Sequence, residues 1–255
     1  NLFGRANNAK TSYKRLASFM EETKDDDVSE KNESAIRREK LGSIEFKDTS
    51  YRYPGADVDT LKNINLKVNE GEKVAILGRN GSGKSTLMKL ASGLFKSSDG
   101  LVMYDGVDIR QLHTEDLSRS IGIVLQDVQL FSGSVRENIT MGRKDISQED
   151  LVNASKLSGL DEFISKVPGG YDLQLSDGGK GLSGGQRQSI ALARSIVHSP
   201  SHFILDEPTS AMDMNAENLF INQISSILKD STILIVTHRM PLLNLVDRII
   251  VMNDG

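Results

Sequence analysis

Apolar and polar positions divide this chain into three stretches. Over residues 1–20, Leu2, Ala6, Ala9, Tyr13, Leu16, Ala17 and Met20 recur at spacings of three and four, which predicts an amphipathic helix. Residues 21–40 hold thirteen charged side chains and no aromatic one, the pattern of an exposed linker with too little apolar surface to bury. From about Leu41 onward the pattern becomes that of a folded domain. Residues 44–46 and 64–68 alternate as half-buried strands do. Residues 74–77, 101–104, 121–125, 203–205, 233–236 and 249–252 are short apolar runs, the last three and the first being of the kind buried on both faces of a sheet. Between them, helical patterns cover 84–95 (with Leu87, Leu90, Ala91 and Leu94 as its stripe), most of 147–166, 184–198 and 214–229.

Strands separated by helices predict an α/β domain with a mostly parallel sheet and flanking helices. The closely spaced early strands add an N-terminal antiparallel β part. The block from about 110 to 198 is richer in helix and is expected to form a helical subdomain. The domain would then occupy 41–255.

Composition narrows the class. The apolar share is 38% and the formal net charge −4, so no overall basic field draws the molecule to nucleic acid. There is no Cys, which removes disulfides and thiolate metal sites. No apolar run approaches the ~20 residues of a membrane helix. The first residue is Asn1 and the last, Gly255, follows a strand-like run directly. Both ends look cut, so we expect a fragment of a longer polypeptide, truncated at the C-terminus.

The candidate chemistry begins at Gly78-Arg79-Asn80-Gly81-Ser82-Gly83-Lys84-Ser85, which fits the phosphate-loop pattern between a strand and a helix. Glycines there let backbone N–H groups curl around a phosphate, and the helix start adds partial positive charge. Lys84 would reach the β- and γ-oxygens of ATP, and the Ser85 hydroxyl would ligate Mg²⁺. The run His202-Phe203-Ile204-Leu205-Asp206-Glu207 supplies an apolar strand ending in carboxylates. Asp206 suits the metal, directly or through water. Glu207, one residue on, suits a base for the attacking water. The bland alternative for Glu207, a surface carboxylate after a strand, weakens beside a phosphate loop.

A third segment, Leu182-Ser183-Gly184-Gly185-Gln186, opens a helical run with a serine and two glycines. This pentapeptide, with the two motifs above in order, resembles the signature of ABC-type ATPases. The resemblance runs from about Leu41 to Gly255, and it implies a phosphate-loop NTPase core. It further implies that Tyr53, rather than Tyr51, stacks on adenine, and that Thr86 joins the ATP site. Gln126 would touch Mg²⁺ and the attacking water, and His238 the γ-phosphate. Leu182, Ser183, Gly184, Gly185 and Gln186 would contact ATP held by a partner subunit. Ser210, Ala211 and Asp213, with Met212 between them, would link the two sites of a homodimer that sandwiches ATP. His113, His198 and His202 are read as structural.

The segment 129–139 is similar to exporters whose membrane domain precedes the ATPase in one polypeptide. So is the short loop 176–181, although exporters carry Glu and Arg where this chain has Asp177 and Lys180. On this resemblance residues 1–20 would end the last membrane helix or its cytoplasmic extension. Met212, with Pro168-Gly169-Gly170-Tyr171-Asp172 upstream, resembles bacterial type I protein-secretion ATPases. That implies a motor on the cytoplasmic side of the bacterial inner membrane exporting a polypeptide. Its expected partners are transmembrane domains of the same polypeptide, a periplasmic adaptor and an outer-membrane channel, with no nucleic acid. Lipid or peptide export stays open as an alternative. A soluble ABC ATPase acting on DNA or ribosomes would call for a basic face, coiled-coil insertions or tandem copies, none of which this sequence carries.

Overall fold

Each apolar run splits its side chains between two faces once the chain is folded. The computed structural model describes residues 35–255 apart from 39, 127, 211, 213, 228 and 230. The expected helix over 1–20, residues 21–34 and 39 of the expected linker, and Ala211 and Asp213 of the expected dimer loop lie outside the described residues.

Residues Arg38–Gly255 form one body. Its first strands are β1 (Ile44–Tyr51), β2 (Leu61–Val68), β3 (Lys73–Gly78), β4 (Asp99–Tyr104), β5 (Val107–Asp108) and β6 (Ile121–Val124). Then follow β7 (Gly133–Ser134), β8 (Gln174–Leu175), β9 (His202–Asp206), β10 (Thr232–Val236) and β11 (Arg248–Met252). The first helices are α1 (Lys84–Ala91), α2 (Thr114–Ser120), α3 (Val135–Thr140) and α4 (Gln148–Leu157). The rest are α5 (Asp161–Ile164), α6 (Gly184–Ile196), α7 (Met214–Ile227) and α8 (Met240–Leu243). An antiparallel sheet has the order β2-β1-β4-β5, and a parallel sheet the order β11-β3-β10-β9-β6. A short antiparallel ribbon joins β7 to β8.

The inner parallel strands β3, β9 and β10 are mainly apolar because both faces are covered. Val74 and Ile76 of β3, Ile204 of β9 and Leu234 and Val236 of β10 pack with α1 and the antiparallel sheet. Ala75, Phe203, Leu205, Ile233 and Ile235 face the opposite way, toward α3, α4, α6 and α7. Each fully buried aliphatic side chain contributes about 1.5–3 kcal/mol, so a one-residue slip of any strand would forfeit both cores.

Two expectations change. The helix predicted over 84–95 ends at Ala91: Ser92 closes it and Gly93 adopts φ +74°, the left-handed turn that terminates helices. Leu94, assigned to its apolar stripe, is instead 55% exposed. The run 249–252 is a strand, but an edge one, and Ile249 and Val251 face outward at 49% and 72% exposure while Met252 is buried. The helical pattern over 147–166 is interrupted at Ser158-Gly159, separating α4 from α5. Within the block 110–198, β6 belongs to the parallel sheet and the other elements are mainly helical. No helix among the described residues is long and apolar enough to cross a membrane.

Candidate nucleotide-binding site

The carboxyl ends of β3, β6, β9 and β10 open on one cavity of about 410 Å³, the usual place for a ligand in a parallel α/β sheet. Its floor is the loop between β3 and α1. Gly83 stands at φ +91° directly before α1, and a Cβ there would lie 2.6 Å from Leu61 Cδ2. Only glycine satisfies both the left-handed backbone and the close approach. No side chain caps α1, so its first N–H groups point free toward the cavity with their partial positive charge. Lys84 is largely buried and its Nζ donates to the carbonyls of Gly78 and Arg79, 2.8 Å each, leaving a third proton for an anion.

Asn80, Gly81, Gly83, Lys84, Ser85 and Thr86 line the cavity from the loop and α1. Gln126 joins them from beyond β6, Asp206 and Glu207 from the end of β9, and His238 from beyond β10. Tyr53, just after β1, closes the side near the antiparallel sheet. Gly78, Arg79 and Ser82 belong to the loop but do not line the cavity, and Ser82 is buried beneath it.

Tyr51 and Tyr53 separate cleanly. Tyr51 is 8% exposed and stacks on Phe95 at 5.2 Å, inside the core. Tyr53 is 36% exposed, meets both rings edge-on, and its hydroxyl lies 3.1 Å from Thr86 Oγ1. The exposed ring is the one available to a ligand.

Glu207 leaves β9 at φ +47°, uncommon for a residue with a side chain, and its N–H donates to Val236 O at 2.9 Å. The reversal turns its carboxylate into the cavity beside Asp206. Burial pushes the Glu207 pKa up, the Asp206 charge adds to this, and His238, Lys84 and Arg239 oppose it. His238 Nε2 lies 3.7 Å from Glu207 Oε1.

Leu182, Ser183, Gly184, Gly185 and Gln186 are not brought to this cavity. Ser183 instead caps α6: its hydroxyl accepts from Gln186 N, and its N–H donates to Gln186 Oε1. Ser210 is exposed, its N–H donating to Glu207 O. Two lining residues escaped the sequence reading. Thr60 and Val236 carry no distinctive chemistry, and Val236 reads simply as core.

Ser85, Gln126 and Asp206 offer a hydroxyl, an amide and a carboxylate to the same cavity, an all-oxygen set that fits a hard cation such as Mg²⁺. The described residues hold no group of three or more His, Cys, Asp or Glu placed to bind a metal, so phosphate oxygens and water would complete the shell. His202 is structural, wholly buried, with Nε2 2.6 Å from Gly42 O. His113 caps α2, accepting from Glu115 N, and His198 is half-buried away from the cavity.

Comparison with known proteins adds the family. The ABC transporter family model matches residues 61–210. The chain is 43% identical over 214 residues to the cyclolysin secretion/processing ATP-binding protein CyaB of Bordetella pertussis, covering 84% of this chain and 30% of that protein. It is 40% identical over 228 residues to the alpha-hemolysin translocation ATP-binding protein HlyB of Escherichia coli O157:H7, covering 89% and 32%. A putative multidrug export ATP-binding/permease protein, YgaD of Bacillus subtilis, is 38% identical over 223 residues, covering 87% and 38%. The chain thus spans about a third of the length of these curated relatives. Among solved structures, a bacterial Atm1-family ABC exporter with ATP bound superimposes with a TM-score of 0.77 at 31% identity, covering 84% of this chain and 37% of that one. With a family match over more than half its length and relatives at about 40% identity, the chain belongs to the ABC transporter family as an ATPase domain of the exporter type.

Proposed function

We propose that this chain is the ATP-driven motor of a membrane exporter on the cytoplasmic side of the bacterial inner membrane, and that it serves export of a polypeptide. The observation that carries the reading is the meeting of Lys84, Gln126, Asp206, Glu207 and His238 around one cavity, at or beyond the carboxyl ends of four parallel strands. Catalysis of phosphoryl transfer is mostly positioning and charge stabilisation, and these are the groups for it. Backbone N–H groups at the start of α1 and Lys84 hold the phosphates, and Tyr53 presents its ring to the adenine. Glu207 accepts the proton of the attacking water, and its raised proton affinity makes it a better base. Gln126 orients that water and His238 donates to the γ-phosphate. Mg²⁺, when bound at Ser85, Gln126 and Asp206, neutralises charge on the β- and γ-oxygens.

Ser183 starts a helix whose N-terminus lies outside its own chain's cavity, and two chains arranged head to tail would supply it to each other's ATP. Ser210, with Ala211 and Asp213, would then carry signals between the two sites. ATP that binds the closed pair more tightly than the open one drives closure, and hydrolysis releases it. Relatives at 40–43% identity named for cyclolysin secretion and alpha-hemolysin translocation support a polypeptide cargo. On this reading the partners are membrane domains in the same polypeptide, a periplasmic adaptor and an outer-membrane channel. The multidrug-export relative at 38% identity favours small-molecule export as the second reading.

Glu207→Gln tests the core of this. It keeps shape and hydrogen bonding but removes the base. ATP binding should persist while hydrolysis falls by roughly 10²–10⁴, and ATP should convert the chain to a species of doubled mass in light scattering. Unchanged turnover would remove Glu207 from its role.

A further inference from the structure

Behind Glu207 and His238 lies a carboxylate that the reaction itself does not use. Glu217, in the first turn of α7, is only 8% exposed. The buried Thr209 hydroxyl donates to its Oε1 at 2.9 Å. Arg239 Nε lies 3.5 Å from the same oxygen. Thr209 is two residues beyond Glu207, and Arg239 is one beyond His238. One carboxylate oxygen therefore ties together the two chain segments that carry the candidate base and the candidate γ-phosphate contact.

We propose that Glu217 is a positioning residue that sets the separation of Glu207 and His238, recorded here as 3.7 Å between Oε1 and Nε2. The inference rests on the catalytic reading of those two residues given above. Its physical basis is the difference between the two arms. The Glu207 arm is held independently: its N–H bonds Val236 O and its carbonyl accepts from Ser210 N. The His238 arm is the more exposed. The His238 side chain is 57% exposed, and the next residue, Arg239, is held by its N–H donating to Thr237 Oγ1, by its carbonyl accepting from Leu242 N and Leu243 N, and by its guanidinium reaching Glu217. The Glu217 carboxylate is buried, and the half-exposed Arg239 guanidinium is the cation that faces it, which draws the histidine's loop toward β9. Removing the charge loosens this side-chain tie while the Thr209 arm keeps its hydrogen bond.

Glu217→Gln performs that separation, since the amide oxygen can still accept from Thr209. We expect kcat for ATP hydrolysis to fall about tenfold. The Kd for a fluorescent ATP analogue should stay within twofold of the parent chain, because the phosphate loop and Tyr53 are untouched. Melting temperature should stay within a few degrees. Arg239→Gln should reproduce the same split. His238→Ala should lower kcat further than either. Adding Glu217→Gln to His238→Ala should cost less than twofold more, because the carboxylate acts through the histidine. The inference is overturned if Glu217→Gln turns over within twofold of the parent. It is also overturned if kcat and melting temperature fall while Kd rises with them, or if the tenfold loss appears in full on the His238→Ala background. If His238→Ala itself hydrolyses ATP at the parental rate, the catalytic reading fails and this inference fails with it.

Discussion

Tyr51 and Tyr53 sit two positions apart and do opposite things, which makes them a test of what a single residue contributes. Tyr53→Ala should weaken ATP by about 1–3 kcal/mol, the scale of base–aromatic stacking, with little change in melting temperature. Tyr51→Ala removes a ring stacked on Phe95 in the core, and should cost about 3–5 kcal/mol of stability instead. Isothermal titration and thermal melts on the pair separate the two losses. The opposite ranking in affinity would reassign the adenine contact. His202 gives a second residue-scale prediction. Its Nε2–H donates to Gly42 O and its Nδ1 accepts from the Ser201 hydroxyl, so the ring sits neutral in the core. Burial pushes its pKa from 6.5 down to about 4. Between those pH values the unfolded chain binds a proton that the folded chain does not. Stability is therefore full above about pH 6.5 and declines as pH falls toward 4, by about 3 kcal/mol from this group. Melting temperature followed from pH 7 to 4.5 should drop less steeply in His202→Gln than in the parent.

At the scale of elements, the motifs were legible because each is contiguous. The phosphate loop, the carboxylates ending β9 and the capped start of α6 each depend on neighbours within a few residues. The ends of elements were less legible. Helix α1 stops at Ala91 because Gly93 takes a left-handed turn, although the apolar spacing continues to Leu94. Close packing between elements was not legible either. Gly122 in β6 looks like a neutral strand position, yet a Cβ there would lie 2.5 Å from Ser195 O of α6 and 2.9 Å from the Phe203 ring. Backbone cannot move aside as a flexible side chain can, so Gly122→Ala should push α6 off the sheet and cost about 1–3 kcal/mol. Circular-dichroism melts should show a loss of several degrees. An unchanged melting temperature would mean that the helix and sheet adjust freely.

At the scale of the whole molecule, Ser183 lies outside the cavity of its own chain, and this is what a composite site between two copies requires. Lys84→Ala and Ser183→Arg should each be inactive alone. In the mixed dimer both lesions fall on one composite site, and the other pairs an intact phosphate loop with an intact signature. Mixing the two proteins at high concentration should restore measurable ATPase activity. No recovery at any ratio, with heterodimer shown by light scattering, would argue against the head-to-tail arrangement or mean that turnover needs both sites.

The residue types of the phosphate loop follow from the sequence by itself, because phosphate recognition is built from backbone and side chains within one short loop. The α/β class follows as well, since apolar runs buried on two faces imply a covered parallel sheet. What the tertiary structure decided is which of these pieces meet. Gln126, Glu207 and His238 are far apart in the chain and become neighbours only because β6, β9 and β10 run parallel and end at the same edge. Tyr53 was separated from Tyr51 by burial, and the outward face of β11 by its place at the sheet edge. Glu217 had no sequence signal at all, because a carboxylate in the first turn of a helix is ordinary until Thr209 and Arg239 are folded against it. Local patterns record hydrogen bonding and periodicity along the chain, whereas charge pairing and burial depend on contacts across it.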